Sequence, residues 1–210
     1  MSQRLAIIGS GDLGQLIAHH SINDKHYEIA GFFDDYGVVG EYITGIPVIG
    51  KIKDIKELYG KGIFDFIMIG VGYKHMKFRK ELFESLEGFI PFGKIVHSSA
   101  YIDSSVKMGE GIFILPGCTL DKNVVLGNNV LLNTGVVIAH DSQVENHCFL
   151  APSVAVAGKT LIKECCIIGI NATIIDNIII SSNIQIGGGA VVIRNLEKEG
   201  LYLGIPAVLK

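Results

Sequence analysis

Aliphatic side chains recur at every sixth residue through the second half of the chain, and this period limits the fold more than any other feature. The series runs from Val96 to Val192 and contains only Leu, Ile, Val or Met at its 17 positions. A second six-residue series, from Val106 to Ala190, is mostly small or β-branched. Six-residue repeats are typical of a parallel β-helix, and three of them make one triangular coil of 18 residues.

We therefore expect coils stacked about 4.8 Å apart, the spacing between neighbouring strands of a sheet. The large aliphatic residues should fill the corners of the prism, with the smaller residues beside them. Because the six-residue register never slips, no loop should be inserted within the prism.

The first 90 residues have a different pattern, in which apolar runs alternate with segments of helical spacing. Strands are expected in "RLAIIG", "YEIAGFFDD" and "FDFIMIGVG", and helices in "LGQLIAHHSI", "DIKELYGKG" and "HMKFRKELFESLE". Alternating strands and helices form a small parallel sheet. The sequence thus predicts a Rossmann-like α/β half domain over 1–92, an all-β domain over 93–193 and a C-terminal tail over 194–210.

Composition and charge exclude several classes of protein. The net charge of −3 argues against a nucleic-acid-binding surface, which usually carries a basic excess. No 18-residue window is free of polar residues, so we expect no membrane span. The four cysteines match no metal-binding spacing. The pattern of the N-terminus predicts a strand and a turn rather than a signal peptide. A cytoplasmic protein with reduced thiols is expected.

One histidine interrupts the apolar pattern of the β-helix. His140 lies two residues after Ile138 and should face outward, with Asp141 beside it. A histidine next to a carboxylate can be held in one tautomer and act as a general base near neutral pH. One coil later is Gly158, which should lie next to His140 and offer its backbone N–H to a carbonyl oxygen. Apolar β-helix faces need cover, and proteins with six-residue repeats usually supply it by forming a homotrimer.

A glycine-rich loop follows the first predicted strand. Gly9, Gly11 and Gly14 form a G-x-G-x-x-G pattern that places N–H groups at a helix N-terminus, where phosphates bind. Asp34 lies 20 residues after Gly14, the spacing of a ribose-binding acid in a dinucleotide fold. This spacing would also fit NAD. However, about 90 residues with three clear strands are too few for both mononucleotide-binding halves, so a single nucleotide diphosphate is the better fit. Alternatively, these glycines and acids only shape the turns and bind no ligand.

The whole chain resembles the sugar O/N-acetyltransferase family, which joins a small nucleotide-sugar domain to a left-handed β-helix. The resemblance lies in "IIGSGDLG", "FFDD", "NTGVVIAHDS", "AVAG", "IGIN", "IGGGAVV" and "GIPA". It is greatest to bacterial enzymes that acetylate the 4-amino group of UDP-linked amino-dideoxy sugars, and it extends to sialic acid O-acetyltransferases. The left hand of the β-helix is implied by this resemblance and not by the repeat.

The resemblance also implies roles for individual residues. It assigns His140 and Asp141 to the catalytic pair, Gly158 to the amide that polarises the thioester, and Asn133 to the sugar. Further positions are assigned to acetyl-CoA (Ile170, Gly188 and Pro206), to the sugar diphosphate (Gly9, Gly11 and Gly14) and to the nucleoside (Asp34 and Asp35). The family often has a second histidine where Phe149 stands, and His147 is two positions away, so that role is not transferred.

The expected reaction is direct acetyl transfer from acetyl-CoA to the amino group of a nucleotide-linked 4-amino-4,6-dideoxy sugar, without a metal. Three alternatives remain open. The first is O-acetylation of a sialic acid or another sugar hydroxyl. The second is a β-helix carbonic anhydrase, which would need a third histidine for zinc besides His140 and His147. The third is a non-catalytic protein that binds a nucleotide sugar.

Overall fold

The computed structural model describes residues 3–210 and divides the chain between Ile95 and Val96 into two compact units. The division lies three residues after the boundary expected from the sequence. The second unit also contains residues 194–210, which we had set apart as a tail.

The N-terminal unit has the alternating strands and helices expected from its sequence, together with a hairpin. Its elements are β1 (Arg4–Ile8), α1 (Asp12–Asn23), β2 (Glu28–Phe33), β3 (Tyr42–Ile43), β4 (Ile46–Gly50), a 3₁₀ turn (Ile52–Asp54), α2 (Ile55–Gly60), β5 (Phe66–Ile69), a second 3₁₀ turn (Tyr73–His75) and α3 (Met76–Leu86). The hairpin β3–β4 was missed, because β3 has only two residues and β4 has a proline within its apolar run.

The strands of this unit form one sheet in the order β3-β4-β2-β1-β5. All neighbours are parallel except β3 and β4, which are antiparallel. The central strand β1 is buried over Leu5–Ile8, which explains its continuous apolar run. The chain leaves β1 toward β2 and later crosses to β5 on the other side, so the carboxyl end of β1 lies at the point where strand order reverses. Ligands of open α/β sheets bind at such a point.

The second unit is a β-helix with three parallel sheets, which we call faces 1, 2 and 3. β6 (Lys94–Val96) spans the division between the units. Face 1 contains β7 (Tyr101–Ile102), β10 (Thr119–Leu120), β13 (Val137–Ile138), β16 (Ala155–Val156), β19 (Thr173–Ile174) and β22 (Val191–Val192). Face 2 contains β8 (Lys107–Met108), β11 (Val125–Leu126), β14 (Gln143–Val144), β17 (Leu161–Ile162) and β20 (Ile179–Ile180). Face 3 contains β9 (Ile112–Ile114), β12 (Leu131–Leu132), β15 (Phe149–Leu150), β18 (Ile167–Ile168), β21 (Ile184–Ile186), β23 (Gly200–Leu203) and β24 (Val208–Leu209).

The 18-residue coil is confirmed by the strand register. Val137 pairs with Thr119 in the preceding coil and with Ala155 in the next. No loop interrupts the repeats between β7 and β22. Both six-residue series point inward and form one continuous core, with only the first members partly buried. The aliphatic series does not fill the corners, however. Each of its members from Ile102 to Val192 lies within or ends a short strand on a flat face, and the turns that follow make the corners.

The corners show a third six-residue series, which was not noticed in the sequence. Every sixth residue from Gly111 to Gly189 is left-handed, with φ between +53° and +70°. The series is Gly111, Gly117, Asn123, Asn129, Gly135, Asp141, His147, Ser153, Lys159, Cys165, Asn171, Asn177, Asn183 and Gly189. Glycine and asparagine adopt this conformation most readily, which explains their abundance in the series. Asp141 therefore lies at a corner whose backbone is set by the fold.

The last residues continue the β-helix. β23 pairs in parallel with β21, and β24 then pairs antiparallel with β23. Among residues 3–210, no helix is long and apolar enough to cross a membrane.

Candidate active site

The His140–Asp141 pair lies at the corner between faces 1 and 2, which we call the His140 edge (residues 121–124, 139–142, 157–160 and 175–178). Nδ1 of His140 is 2.9 Å from Oδ2 of Asp141. Both side chains are about half exposed, at 51% and 42%. The other carboxylate oxygen, Oδ1, accepts a hydrogen bond of 2.8 Å from Nδ2 of Asn123 in the preceding coil.

These contacts indicate which nitrogen of the His140 ring can accept a proton. The hydrogen bond from Asn123, followed by that with His140, holds the pKa of Asp141 below its ordinary value. An ionised carboxylate can only accept hydrogen bonds, so Nδ1 of His140 must carry the proton. In the neutral ring Nε2 is then unprotonated and can accept a proton from another group.

Gly158 lies against the imidazole of His140, as the 18-residue step predicted. A β-carbon built on Gly158 would lie 2.7 Å from both Nε2 and Cε1 of the ring. No side chain can therefore replace the glycine hydrogen without moving the histidine. Backbone hydrogen bonds maintain this stacking, because the N–H of Lys159 donates to the carbonyl of His140 and the N–H of Asp141 donates to that of Lys122.

The positions assigned to acetyl-CoA lie on a different corner of the prism. Ile170 and Gly188 are at the corner between faces 3 and 1, which we call the Ile170 edge (residues 133–136, 151–154, 169–172 and 187–190). They stack closely, because a β-carbon on Gly188 would lie 3.0 Å from Cγ2 of Ile170. Pro206 is exposed in a turn above the same edge, where Ala207 donates to the carbonyl of Val191. The structure thus stacks Ile170 on Gly188 at a different corner from His140, and it places Pro206 in a turn bonded to Val191.

Asn133 also lies on the Ile170 edge, one corner before His140 in the same coil. Its Oδ1 accepts a hydrogen bond of 2.8 Å from the N–H of Thr134. Within one chain the structure does not place Asn133 beside the imidazole.

His147 and Phe149 are structural residues of face 3 and the corner before it. His147 is 4% exposed, and its Nδ1 lies 3.1 Å from Nδ2 of Asn129. Phe149 is also buried. Within residues 3–210, no group of three His, Cys, Asp or Glu side chains is arranged to hold a metal ion.

Three of the four cysteines are core residues, as their place in the small-residue series predicted. The thiols of Cys118, Cys148 and Cys166 are buried, and each donates to the carbonyl 15 residues later. Cys165 is partly exposed at a corner, and none of the four forms a disulfide.

In the N-terminal unit, the three glycines of the G-x-G-x-x-G loop differ in what surrounds them. Gly9 is left-handed, with φ +94°, and donates to the carbonyl of Phe33. Gly14 packs directly on the loop, since a β-carbon there would lie 2.0 Å from the oxygen of Gly9. Gly11 is the N-cap of α1, and a β-carbon there would meet no atom within 4 Å. The open side of the loop is therefore at Gly11, where a phosphate could approach the helix N-terminus.

The two acids after β2 are not equivalent. The Asp34 carboxylate accepts four hydrogen bonds, from the N–H and hydroxyl of Ser10 and from the N–H groups of Tyr36 and Gly37. Burial would raise the pKa of Asp34, but these hydrogen bonds outweigh it and lower the pKa below its ordinary value. Asp35 is exposed, and its carboxylate accepts one hydrogen bond, from the N–H of Ile52.

Both acids line a cavity of about 320 Å³ at the carboxyl ends of β1, β2 and β5. Its other walls are largely apolar and come from Ile8, Gly9, Phe33, Tyr36, Ile52, Val71, His75 and Phe78. The wall residues Tyr36 and Phe78 were not predicted, because they come from a loop and from α3 and carry no motif of their own. An apolar pocket with a few polar groups is the usual form of a small-molecule site.

Arg79 supports the segment that follows β5. Its place in the helical segment "HMKFRKELFESLE" is compatible with a phosphate ligand and, slightly better, with an exposed helix residue. Instead it is 4% exposed, and its Nη1 donates to the carbonyls of Ile69 and Val71. Burial lowers the pKa of Arg79 to about 10, so it remains protonated at neutral pH.

Two polar residues of these sites were missed in the sequence. Asn123 could have been found by stepping back one coil from Asp141, since 18 residues separate the two. Ser10 lies inside the G-x-G-x-x-G motif, but nothing in the sequence indicates that it binds Asp34.

Comparisons with known proteins agree with this architecture. Residues 4–86 match the family model of the PglD N-terminal domain. The whole chain is similar to the acetyltransferase domain of PglB from Neisseria gonorrhoeae, solved with acetyl coenzyme A, with 25% identity, a TM-score of 0.90 and 100% of each chain covered. No curated protein matches the sequence.

Two further solved structures share the fold. One is a GDP-perosamine N-acetyltransferase mutant from Caulobacter crescentus in complex with CoA and GDP-perosamine, with 24% identity, a TM-score of 0.90 and coverage of 98% of this chain and 96% of that one. The other is WeeI from Acinetobacter baumannii, with 21% identity, a TM-score of 0.85 and full coverage of both chains. The predicted resemblance and the predicted fold, an α/β domain followed by a left-handed parallel β-helix, are confirmed.

Proposed function

We propose that the protein is an acetyl-CoA-dependent N-acetyltransferase for the amino group of a nucleotide-linked 4-amino-4,6-dideoxy sugar. The observation that carries the proposal is the His140 imidazole, whose Nδ1 is held by Asp141 while its Nε2 edge lies against Gly158. The similarity to the PglB acetyltransferase domain and to the GDP-perosamine N-acetyltransferase supports the same chemistry.

In the proposed reaction His140 is the general base. The sugar amine attacks the thioester carbon of acetyl-CoA, and Nε2 of His140 takes up the proton that the amine loses. The carbon–sulfur bond then breaks, and the CoA thiolate that leaves takes up the proton held on Nε2 of His140, which restores the neutral base. General-base assistance of this kind is typically worth about 10²- to 10⁴-fold in rate. Asp141 orients the ring and stabilises the imidazolium.

Gly158 has the role of oxyanion donor in this proposal. Within residues 3–210, its N–H donates to no backbone carbonyl, whereas its carbonyl accepts from Asn177. Because this N–H has no backbone partner, the proposal assigns it to the carbonyl oxygen of the thioester. One oxyanion donor is worth about 3 kcal/mol of transition-state stabilisation. An acyl-enzyme on a cysteine is not part of the mechanism, because Cys118, Cys148 and Cys166 are buried in the core and Cys165 lies at a corner between faces 2 and 3.

A homotrimer with acetyl-CoA between neighbouring prisms is part of the proposal. His140 and Gly158 lie on one edge of the prism, and Ile170, Gly188 and Pro206 lie on another. One acetyl-CoA molecule could contact both sets if the His140 edge of one chain faced the Ile170 edge of a second. Asn133, on the Ile170 edge, would then approach the sugar from the second chain.

The nucleotide sugar is assigned to the N-terminal unit. Its diphosphate would lie at the open N–H groups around Gly11, and its nucleoside in the cavity beside Asp35. Asp34 would act indirectly, by holding Ser10 and the loop in place. A cytoplasmic location is also proposed, because four thiols without a disulfide fit a reducing compartment.

The test is thiol release from acetyl-CoA with a panel of UDP-, dTDP- and GDP-linked 4-amino sugars. Matched 4-hydroxy sugars and a sialic acid are included to detect O-acetylation. We expect release with at least one amino sugar and a loss of about 10²- to 10⁴-fold in His140→Ala. Binding of a nucleotide sugar without any thiol release would favour a non-catalytic role. Full turnover by a folded His140→Ala protein would refute the mechanism.

A further inference from the structure

A row of polar side chains leads from the catalytic pair into the two preceding coils of the β-helix. The hydroxyl and N–H of Ser105 both donate to Asp103. The same hydroxyl accepts a hydrogen bond of 2.7 Å from the N–H of Asn123. The side-chain amide of Asn123 donates to Oδ1 of Asp141, and Oδ2 of Asp141 contacts His140. Ser105, Asn123 and Asp141 are 18 residues apart, at one position in three consecutive coils.

We infer that Asn123, itself held by Ser105, is a positioning residue that fixes the Asp141 carboxylate in the orientation that His140 requires. The inference rests on the proposed function of His140 as general base. Asn123 touches neither the proposed substrate nor the cofactor, and it acts only through Asp141.

The geometry explains why Asp141 needs this second contact. Its side chain is 42% exposed, so the carboxylate could rotate about its Cα–Cβ and Cβ–Cγ bonds in water. One hydrogen bond to His140 restrains one oxygen, and the bond from Asn123 restrains the other. With both oxygens bound, the carboxylate plane is defined, and so is the direction of the imidazole ring. A hydrogen bond to a charged group is stronger than one between neutral groups, which suits this role.

The backbone brings Asn123 into position independently of its side chain. Asn123 has φ +60° and Asp141 has φ +58°, so both are left-handed corner residues. The N–H of Asp141 also donates to the carbonyl of Lys122, which keeps the two corners at the spacing of neighbouring coils. Because glycine adopts this conformation at least as well as asparagine, the amide of Asn123 can be removed without strain.

The ionisation of Asp141 gives an independent measure of the contact. The hydrogen bond from Asn123 is the largest influence that lowers the pKa of Asp141. The other charged or titratable groups that face this carboxylate are His140 and Lys122. Loss of the Asn123 amide should therefore raise the pKa of Asp141 while both of these groups remain.

The experiment compares Asn123→Gly with Asn183→Gly in the full-length protein. Asn183 has the same conformation, with φ +60°, at a corner between faces 2 and 3. Steady-state kinetics are combined with NMR titration of the Asp141 carboxyl carbon and ¹⁵N spectra of the His140 ring. For Asn123→Gly we expect kcat to fall about tenfold with KM for acetyl-CoA unchanged, which corresponds to about 1.4 kcal/mol. The Asp141 titration should move to higher pH, and Asn183→Gly should behave as wild type.

The inference would be overturned by a wild-type kcat in Asn123→Gly, or by an Asp141 titration that does not move. An equal loss in Asn183→Gly would also overturn it, since the effect would then belong to the corner conformation. If the wild-type protein releases no thiol with any sugar nucleotide, the proposed function fails, and the NMR titration still tests the contact. Asn123→Asp is a second variant, in which a carboxylate replaces the donor and should raise the pKa of Asp141 further.

Discussion

The imidazole of His140 and the backbone of Gly158 are in contact across one coil of the β-helix. A β-carbon on Gly158 would lie 2.7 Å from Nε2 and Cε1 of the ring, closer than carbon and nitrogen atoms can approach without a bond. The glycine matters to this arrangement in two ways. Its missing side chain makes room for the ring, and in the proposed mechanism its N–H binds the thioester oxygen beside Nε2.

The first prediction concerns this contact. Gly158→Ala should displace the His140 ring and lower kcat about 100-fold, because a misplacement of about 1 Å can cost that much. Gly60→Ala is the control, since a β-carbon there would meet no atom within 4 Å. The measurement is kcat for each variant, together with a crystal structure of Gly158→Ala. An alanine variant with wild-type kcat and an undisturbed ring would contradict the geometry.

The second prediction separates packing from ligand binding in the glycine loop. Gly14→Ala should lower the free energy of unfolding by at least about 2 kcal/mol, because its β-carbon would overlap the oxygen of Gly9. Gly11→Ala should change it by less than about 0.5 kcal/mol, since the side chain enters open space.

The same Gly11→Ala protein should bind the nucleotide sugar more weakly, because a methyl group would obstruct the diphosphate. Thermal unfolding and calorimetric titration measure the two effects, and unchanged affinity in Gly11→Ala would refute the assigned phosphate site.

The third prediction concerns Asp34. Asp34→Asn should lower the free energy of unfolding by about 1–2 kcal/mol at pH 7, because an amide group would face two N–H or O–H donors. Since the folded-state pKa of Asp34 lies below the ordinary value of 3.8, its stabilisation is complete above that value and is lost as pH falls through the folded-state pKa. The wild-type and variant melting temperatures should therefore converge below about pH 4. A constant difference from pH 7 to pH 3 would contradict this assignment.

Asp35→Asn is the matched variant for this experiment. It keeps an oxygen that can accept the hydrogen bond from Ile52, so its melting temperature at pH 7 should remain near that of wild type. Because Asp35 is exposed and lines the cavity, nucleotide-sugar binding should weaken instead.

The fourth prediction concerns the buried guanidinium of Arg79. Arg79→Met should lower the free energy of unfolding by about 1–3 kcal/mol, because the carbonyls of Ile69 and Val71 would lose their donor. Lys77→Met is the control on the same helix, and its exposed side chain should contribute less than about 0.5 kcal/mol. Chemical denaturation measures both. If both variants had the same free energy of unfolding, the buried hydrogen bonds of Arg79 would contribute little to stability.

The β-helix and the site upon it could be derived from the sequence to different degrees. Because the backbone repeats every six residues, the repeat alone predicts that His140 and Gly158 are neighbours, and the structure bears this out. The same step of 18 residues also predicts that Asn123 and Asp141 are neighbours. Their hydrogen bond was missed because an asparagine at a corner can be explained by its backbone conformation alone. Its left-handed conformation favours asparagine whether or not the side chain makes a contact.

The N-terminal unit was less predictable, because its sites depend on residues that are distant in sequence. The alternating pattern correctly predicted three strands and three helices, but it missed the hairpin, in which β3 has only two residues and Pro47 interrupts β4. The pattern of α3 did not reveal that Arg79 is buried, since its partners follow a different strand. Likewise, the G-x-G-x-x-G spacing pointed to Asp34 as a ligand, whereas its carboxylate is occupied by Ser10, Tyr36 and Gly37.

By itself, the sequence determined the six-residue period, the inward direction of its aliphatic residues and the step of 18 residues between stacked positions. These are local properties, because each repeat imposes the same backbone geometry on the next. The tertiary structure alone decided that the Asp34 carboxylate is occupied by donors from Ser10, Tyr36 and Gly37, and that Arg79 is buried. Such outcomes depend on which side chains meet after the chain has folded, and no spacing along the chain specifies them.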